Sequence, residues 1–389
     1  MLIKCIFAII KLNKLAGIYI HIPFCKQKCY YCDFHFSVSL RQKDAMLEAI
    51  KNELKIRSDE LSQPIETIYL GGGTPTLFSA SELHSIFDTI YSNYEIIANP
   101  EISLEANPDD LSRSYLKDLR NLPINRLSIG VQSFYDSDLK FMNRAHTSNE
   151  ALQSIKNAQD IGYENITIDL IYGIPNLSTH RWHKNIETFL ALELPHLSSY
   201  ALTVEPNTAL DYFIKTKKYP PLDEALARKH FDILVQRMKS NDFIHYELSN
   251  FGKENYFSKH NTSYWQGKSY LGIGPSAHSF KQDARSWNVA NNAQYIKSLA
   301  SNKLPATTEN LSLSEQYNEY IMTGLRTIWG VDINVIQIKF GQKFAIYFRQ
   351  SIQPHIAYNN LQIKNEKVQV LPSAFFLIDG IIADLFWVD

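Results

Sequence analysis

Cys25, Cys29 and Cys32 fall within eight residues, in the stretch 17–36 (GIYIHIPFCKQKCYYCDFHF), at the spacing C-x3-C-x2-C. Thiols this close do not readily pair with one another as disulfides, but all three can face one metal centre. Thiolates are soft ligands and select iron–sulfur clusters, zinc or copper(I). A structural zinc site needs a fourth ligand to close its tetrahedron, and His21 or His35 beside the loop could supply it. A cubane of four irons normally takes four cysteines. Three would leave one iron open to a further ligand, which makes a chemical site rather than a staple.

Other residues with chemistry to offer follow short apolar runs. Gly71-Gly72-Gly73-Thr74-Pro75 comes directly after one of them. Consecutive glycines admit positive φ and close backbone approach, either toward a ligand or within a tight strand–helix turn. Glu105, in Ser103-Leu104-Glu105-Ala106-Asn107-Pro108, could accept hydrogen bonds from hydroxyls or an ammonium group. Gln132 carries both a donor and an acceptor. Arg144, in Met142-Asn143-Arg144-Ala145-His146, can clamp a carboxylate with two parallel bonds. Asp169 lies between Ile168 and Leu170. A buried charge needs a partner, either a structural salt bridge or a ligand.

The elements that must hold these residues alternate. Apolar runs rich in Ile, Leu, Val and Tyr occupy residues 17–22, 67–70, 101–105, 126–132, 165–171 and 196–202, as buried parallel strands do. Helical patterns lie between them. Residues 40–56 place Met46, Leu47, Ile50 and Leu54 on one face. Residues 79–91 open with Ser79-x-x-Glu82, a capping box, and 148–161 follow Thr147-x-x-Glu150. Residues 111–119 and 180–192 complete the set. Strand–helix alternation means parallel strands with right-handed crossovers. The units fall short of a full eight-stranded barrel. The expected fold is therefore α/β, a partial (β/α)6 TIM-like barrel, with a doubly wound open sheet as the alternative. In a parallel barrel the loops after the strand C-termini build the site, and the residues singled out above fall there.

Beyond the barrel, residues 222–238 read as a helix and 243–248 as a seventh short strand. Residues 259–280 (KHNTSYWQGKSYLGIGPSAHSF) show neither periodicity and read as a long functional loop. Residues 312–328 and 342–358 read as helices, 361–372 as a hairpin and 373–385 as a last amphipathic helix. Together these form a small helical, winged-helix-like accessory domain. The expected division is an N-terminal extension at 1–16, a barrel at 17–250, a loop region at 251–300 and the accessory domain at 301–389.

Composition is that of an ordinary globular protein, 45% hydrophobic and 20% charged. A formal net charge of −1 gives no reason to expect a nucleic-acid partner. Four cysteines, three of them clustered, argue against a disulfide framework and for a reducing compartment, the cytoplasm. The leader MLIKCIFAIIKLNKL holds Cys5. Lys11 interrupts its apolar run and no small-residue cleavage site follows, so it does not read as a signal peptide. The run is also too short to span a bilayer, so no integral membrane protein is expected.

The cysteine spacing, with Tyr31 before Cys32, resembles the CxxxCxΦC signature of the radical S-adenosylmethionine (SAM) superfamily. Gly71-Gly72-Gly73-Thr74-Pro75 resembles its GGE-type element, in the variant of the oxygen-independent coproporphyrinogen III oxidase-like family. The resemblance covers nearly the whole chain from Gly17. It implies a [4Fe-4S] cluster on Cys25, Cys29 and Cys32 whose open iron takes the amino and carboxylate groups of SAM. It also implies SAM contacts from Tyr19, Tyr31, Gly72, Gly73, Thr74, Glu105, Gln132, Arg144 and Asp169, with Ala201 a fainter match. The decarboxylating oxidases continue with a fourth cysteine two residues after the third, where this chain has Phe34. There, and in His260-Asn261-Thr262-Ser263-Tyr264-Trp265, which matches HNxxYW, the chain resembles the HemW-type heme chaperones. That implies heme contacts from His260, Tyr264 and Trp265, since a neutral imidazole is a standard axial ligand for heme iron. His278 is a second candidate ligand. Glu319, Leu325 and Arg326 resemble the family's C-terminal domain, with no chemistry assigned. The implied function is that of a heme chaperone handing heme to acceptor proteins, membrane respiratory enzymes among them. The alternative is a coproporphyrinogen III oxidase acting through a 5′-deoxyadenosyl radical.

Overall fold

The computed structural model describes residues 15–388; residues 1–14, with Cys5, lie outside the described residues. Strands β1 (Ala16–Ile22), β2 (Ile65–Gly72), β3 (Ile96–Ala106), β4 (Arg126–Gln132), β5 (Ile166–Tyr172) and β6 (His196–Ala201) lie side by side in that order, all parallel. Helices Lys43–Ile56, Ala80–Asn93, Arg113–Leu119, Ser148–Asp160 and Thr179–Ala191 make the crossovers. Ser79 and Thr147 each form the capping box expected of them, bonding Glu82 and Glu150 reciprocally.

Side chains along a strand alternate between faces, and here the alternation sorts them sharply. Ile18, Ile20, Ile68, Leu70, Leu104, Leu127, Ile129, Ile168 and Leu170 are wholly buried, packed in one cluster with Leu83, Ile86, Ile155 and Ile186 of the covering helices. Each such side chain contributes about 1.5–3 kcal/mol by leaving water. The alternate positions, among them Thr67, Tyr69, Glu105, Ser128 and Asp169, are polar and face the barrel interior. Closed barrels are usually filled by branched apolar layers. This one keeps its interior for polar groups and for space.

The sheet does not close. β9 (Tyr270–Ile273) pairs in parallel with β1, and β10 (His278–Lys281), β11 (Ala284–Asn288) and β12 (Ala306–Asn310) extend that edge antiparallel. At the opposite edge β8 (Asn250–Gly252) and β7 (Ile244–Glu247) also add antiparallel, giving twelve strands in all. The seventh parallel strand is therefore β9, beside β1. The strand expected at 243–248 exists as β7 but runs antiparallel.

Residues 259–280 are not a loop. They hold helix Lys259–Trp265, all of β9 and the start of β10. The helix is seven residues long, too short to show a period. Its first N–H groups are met from afar: Glu101 accepts from Lys259 N and His260 N, both at 3.0 Å. Gly272 and Gly274 gave β9 the look of a turn. Gly272 is required because a Cβ there would lie 1.9 Å from the His278 carbonyl oxygen.

The C-terminal region has helices Leu313–Leu325, Ile333–Phe340 and Gln342–Ala357 against a three-stranded sheet of Val331–Asp332, Leu361–Lys364 and Lys367–Val370. The last two strands are the expected hairpin. A 3-10 turn, Pro372–Leu377, then leads into helix Ile378–Leu385. Phe375 packs on His245 at 4.8 Å and Phe376 on Phe231 at 5.7 Å, which brings this turn to the barrel's mouth.

Candidate functional site

A cavity of about 690 Å³ opens at the C-terminal ends of the parallel strands. Its floor is the cysteine loop after β1. The loop is pinned on several sides: Cys25 N donates to Ser37 O, Tyr30 N to Met142 O, Gln27 Nε2 to Asn143 O and Asn143 Nδ2 to Lys28 O. Lys26 forms ion pairs with Asp109 and Asp110 after β3. Cys25, Cys29 and Cys32 are free thiols, partly buried at the cavity wall. Burial pushes Cys25 up to about 12 and Cys32 up to about 11. Among the described residues no three His, Cys, Asp or Glu side chains converge on one point as a single ion would require. Three soft donors around a common cavity fit a cluster in which each thiolate would bind a different iron.

The zinc alternative lacks its fourth ligand. His21 Nε2 lies 2.8 Å from the His35 carbonyl and His21 Nδ1 lies 3.1 Å from the Tyr19 hydroxyl. His35 Nε2 lies 2.8 Å from Asn292 Oδ1. Neither ring lines the cavity.

The glycine loop after β2 lies directly against the cysteine loop. Gly73 N donates to Ile22 O at 2.9 Å and Thr74 N to Phe24 O at 2.6 Å. A Cβ on Gly73 would stand 2.4 Å from Phe24 O, and one on Gly72, at φ +101°, would stand 2.4 Å from the His21 ring. The glycines serve packing between the two loops as well as any ligand.

Among the carboxylates that line the same cavity are Glu105 and Asp169. Glu105 accepts from Tyr69 Oη at 2.8 Å and from Gly72 N at 3.0 Å, and burial raises it to about 7. Asp169 is raised by burial to about 6; Ser198 bonds it, and among the described residues no cation pairs with it at ion-pair distance. The salt bridge considered for it is therefore not formed. Gln132 reaches the wall from a left-handed backbone, φ +67°, which is uncommon for a residue with a side chain. Arg144 donates from Nη1 to Cys29 Sγ at 3.4 Å and from Nη2 to Asn107 Oδ1 at 2.6 Å and Gly130 O at 2.8 Å. Its buried Nε has no hydrogen-bond partner among the described residues.

The cavity thus gathers Cys25, Cys29, Tyr31, Cys32, Gly72, Gly73, Thr74, Glu105, Gln132, Arg144 and Asp169, with Ala201 at its rim. Tyr19, His260, Tyr264 and Trp265 do not reach it. His260 is only 1% exposed and sits toward the other end of the strands. Its Nδ1 lies 2.7 Å from Thr67 Oγ1, its Nε2 lies 2.7 Å from Tyr264 Oη, and its ring stacks on Tyr69 at 5.0 Å. Burial lowers it to about 3, so the ring is neutral. His278 is exposed on β10, stacked on Trp287.

Aromatic walls escaped the sequence reading. Tyr172, Tyr200, Phe231, Phe375 and Phe376 line the upper cavity. Phe375 and Phe376 stand some 340 residues from the cysteines and carry no motif; only the fold brings them there. Asn107 had a signal, its place two residues after Glu105.

The pattern described as Radical SAM superfamily matches residues 19–189, and that described as HemN C-terminal domain matches residues 311–377. A Bacillus subtilis protein named heme chaperone HemW is 36% identical, over 84% of this chain and 88% of its own. A Lactococcus lactis protein of the same name is 34% identical, over 94% and 96%. In structure, the coproporphyrinogen III oxidase HemN of Escherichia coli superposes with a TM-score of 0.83 over 98% of this chain and 93% of its own, at 21% identity, which is a likeness of fold.

Proposed function

Because this chain belongs to the radical SAM superfamily and, within it, to the family of the HemW proteins, we propose that it is a heme chaperone, holding heme and passing it to acceptor proteins. The acceptors would include membrane respiratory enzymes and the setting would be the cytoplasm. Among the described residues no helix is long and apolar enough to cross a membrane. Cys25, Cys29 and Cys32 would hold a [4Fe-4S] cluster, and the cavity above them would take an exchangeable SAM. With SAM on its open iron, such a cluster supplies one-electron reduction of the sulfonium. The chain's own residues bind and orient. Glu105 and Asp169 offer acceptors to ribose hydroxyls or the ammonium group, Gln132 offers both polarities, and the aromatic walls offer apolar faces in the upper cavity.

The observation that carries the chaperone reading is Phe34. It stands, 66% exposed at the cavity wall, where the decarboxylating oxidases place a fourth cysteine. On the heme side, His260 is the proposed axial ligand, with Tyr264 and Trp265 as flat faces for the macrocycle. A neutral imidazole is the ligating form. Ligation requires Thr67 or Tyr264 to release one of its two ring nitrogens and helix Lys259–Trp265 to leave the lower end of the barrel.

The test runs two assays on one anaerobically reconstituted preparation. Hemin addition is expected to raise a Soret band, and coproporphyrinogen with SAM and reductant is expected to remain unchanged. Decarboxylation of coproporphyrinogen would overturn the chaperone reading. A Soret band that survives His260→Ala would remove the ligand assignment and leave the function standing.

A further inference from the structure

We propose that Asn107 is a positioning residue that aims two hydrogen-bond donors at the cysteine sulfurs and so sets the reduction potential of the cluster they hold. The inference rests on the cluster reading of Cys25, Cys29 and Cys32.

A carboxamide has fixed polarity, one end donating and the other accepting. Asn107 Nδ2 donates to Thr74 Oγ1 at 2.9 Å, and Asn107 Oδ1 accepts from Arg144 Nη2 at 2.6 Å. With its oxygen accepting from the amide, the Thr74 hydroxyl has its own proton to give, and Thr74 N, donating to Phe24 O at 2.6 Å, holds it beside Cys25. With Nη2 shared between Asn107 Oδ1 and Gly130 O, the guanidinium plane of Arg144 is fixed and Nη1 meets Cys29 Sγ at 3.4 Å. One amide thus orients a hydroxyl beside one cluster cysteine and a cation on another.

The amide is itself held from behind. Asn107 precedes the 3-10 turn Pro108–Asp110, and its carbonyl accepts from Asp110 N at 3.1 Å. Asp109 and Asp110 of that turn grip Lys26 inside the cysteine loop. The turn and the loop are therefore tied together. Other charged or titratable groups facing Arg144 are Tyr31, Cys29 and Asp109.

Donors on thiolate ligands stabilise the extra negative charge of a reduced cluster and raise its potential. A donor that is charged does so more strongly than a neutral one. Asn107 touches neither thiolate, so its effect passes through Thr74 and Arg144.

Wild type, Asn107→Leu and Thr74→Val are reconstituted anaerobically, and the cluster of each is titrated potentiometrically by the EPR signal of its reduced form. Asn107→Leu is expected to bind the wild-type complement of iron and to show a lower midpoint potential, since both donors lose their aim. Thr74→Val, which leaves Asn107 and Arg144 in place, is expected to lower it by less. In the double variant the two shifts should fall short of their sum, because Asn107 acts partly through Thr74. An unchanged midpoint in either single variant, with iron retained, overturns the inference while the cluster reading stands. A wild type that takes up no cluster fails the cluster reading first.

Discussion

The two ends of the barrel interior are both polar and are finished differently. At the lower end the polar groups around His260 pair with one another, although Arg126 Nε and Thr262 Oγ1 have no hydrogen-bond partner among the described residues. His260 spends one ring nitrogen on Thr67 and the other on Tyr264, and Glu101 meets the first N–H groups of helix Lys259–Trp265. At the mouth the pairing is left incomplete. Among the described residues Asp169 has no cation at ion-pair distance and Arg144 Nε no acceptor, and three thiols face a common space. Buried polar groups are ordinarily satisfied, and perturbed groups in a cleft mark function more often than chance. The lower end is built as a plug and the mouth as a receptor. If heme does engage His260, it must first undo a finished structure, whereas SAM would complete an unfinished one.

Gly73→Ala breaks the mouth and gives the largest effect. Its Cβ would meet two backbone oxygens, Phe24 O at 2.4 Å and Ile22 O at 2.7 Å, neither of which can rotate away. The loop bearing Cys25 must shift, at a cost of about 1–3 kcal/mol. Iron per chain after reconstitution should fall from about four, the content of one cubane, to near zero, while His260 keeps its partners. Retention of full iron would show that the loops tolerate separation.

Glu101→Ala breaks the plug instead. It strips the acceptor from Lys259 N and His260 N. Leaving such donors unmet costs about 1–3 kcal/mol, read as a lower midpoint of denaturant unfolding. Cluster content should not change. If the plug has to open for heme, hemin should associate faster with this variant than with wild type. An unchanged rate would mean that heme binds without displacing the helix.

The mouth was far more legible in the sequence than the plug, for a physical reason. Short apolar runs ending in Gly, Pro or Cys announce a buried strand and its exit loop, and β4 runs over residues 126–132 as read. β3 begins earlier than its apolar core, at Ile96, because Asn99 and Pro100 masked the extended chain before it. Helix Lys259–Trp265 is fixed by Glu101, 158 residues away, and no local pattern encodes that contact. Strand alternation tells which face a residue takes and not how deep it sits. Tyr19 and the residues of the cysteine loop share a strand and its exit, yet Tyr19 bonds His21 below the cavity. Depth is set by the sheet's pairing register.

Glu105→Gln gives the smallest effect and tests whether the mouth is electrostatically unfinished. In the fold the Glu105 carboxyl titrates at about 7, chiefly through burial, against an ordinary value of 4.5. Between those values the unfolded chain is ionised while the folded chain keeps its proton, so folding takes up a proton. Stability must then fall as pH rises from 4.5 to 7 and level off above. The full shift corresponds to about 3 kcal/mol. Glu105 lines an open cavity that admits water, so about 1 kcal/mol is the expected difference between pH 5 and pH 7.5. Glutamine has no such proton, yet its amide oxygen can still accept from Gly72 N. The variant's unfolding free energy should therefore lose that share of the decline between pH 5 and 7.5, as measured by denaturant titration at both pH values. An equal decline in wild type and variant would place the titration elsewhere in the barrel and leave Glu105 ionised throughout, a finished acceptor for Tyr69 and Gly72 like those at the lower end.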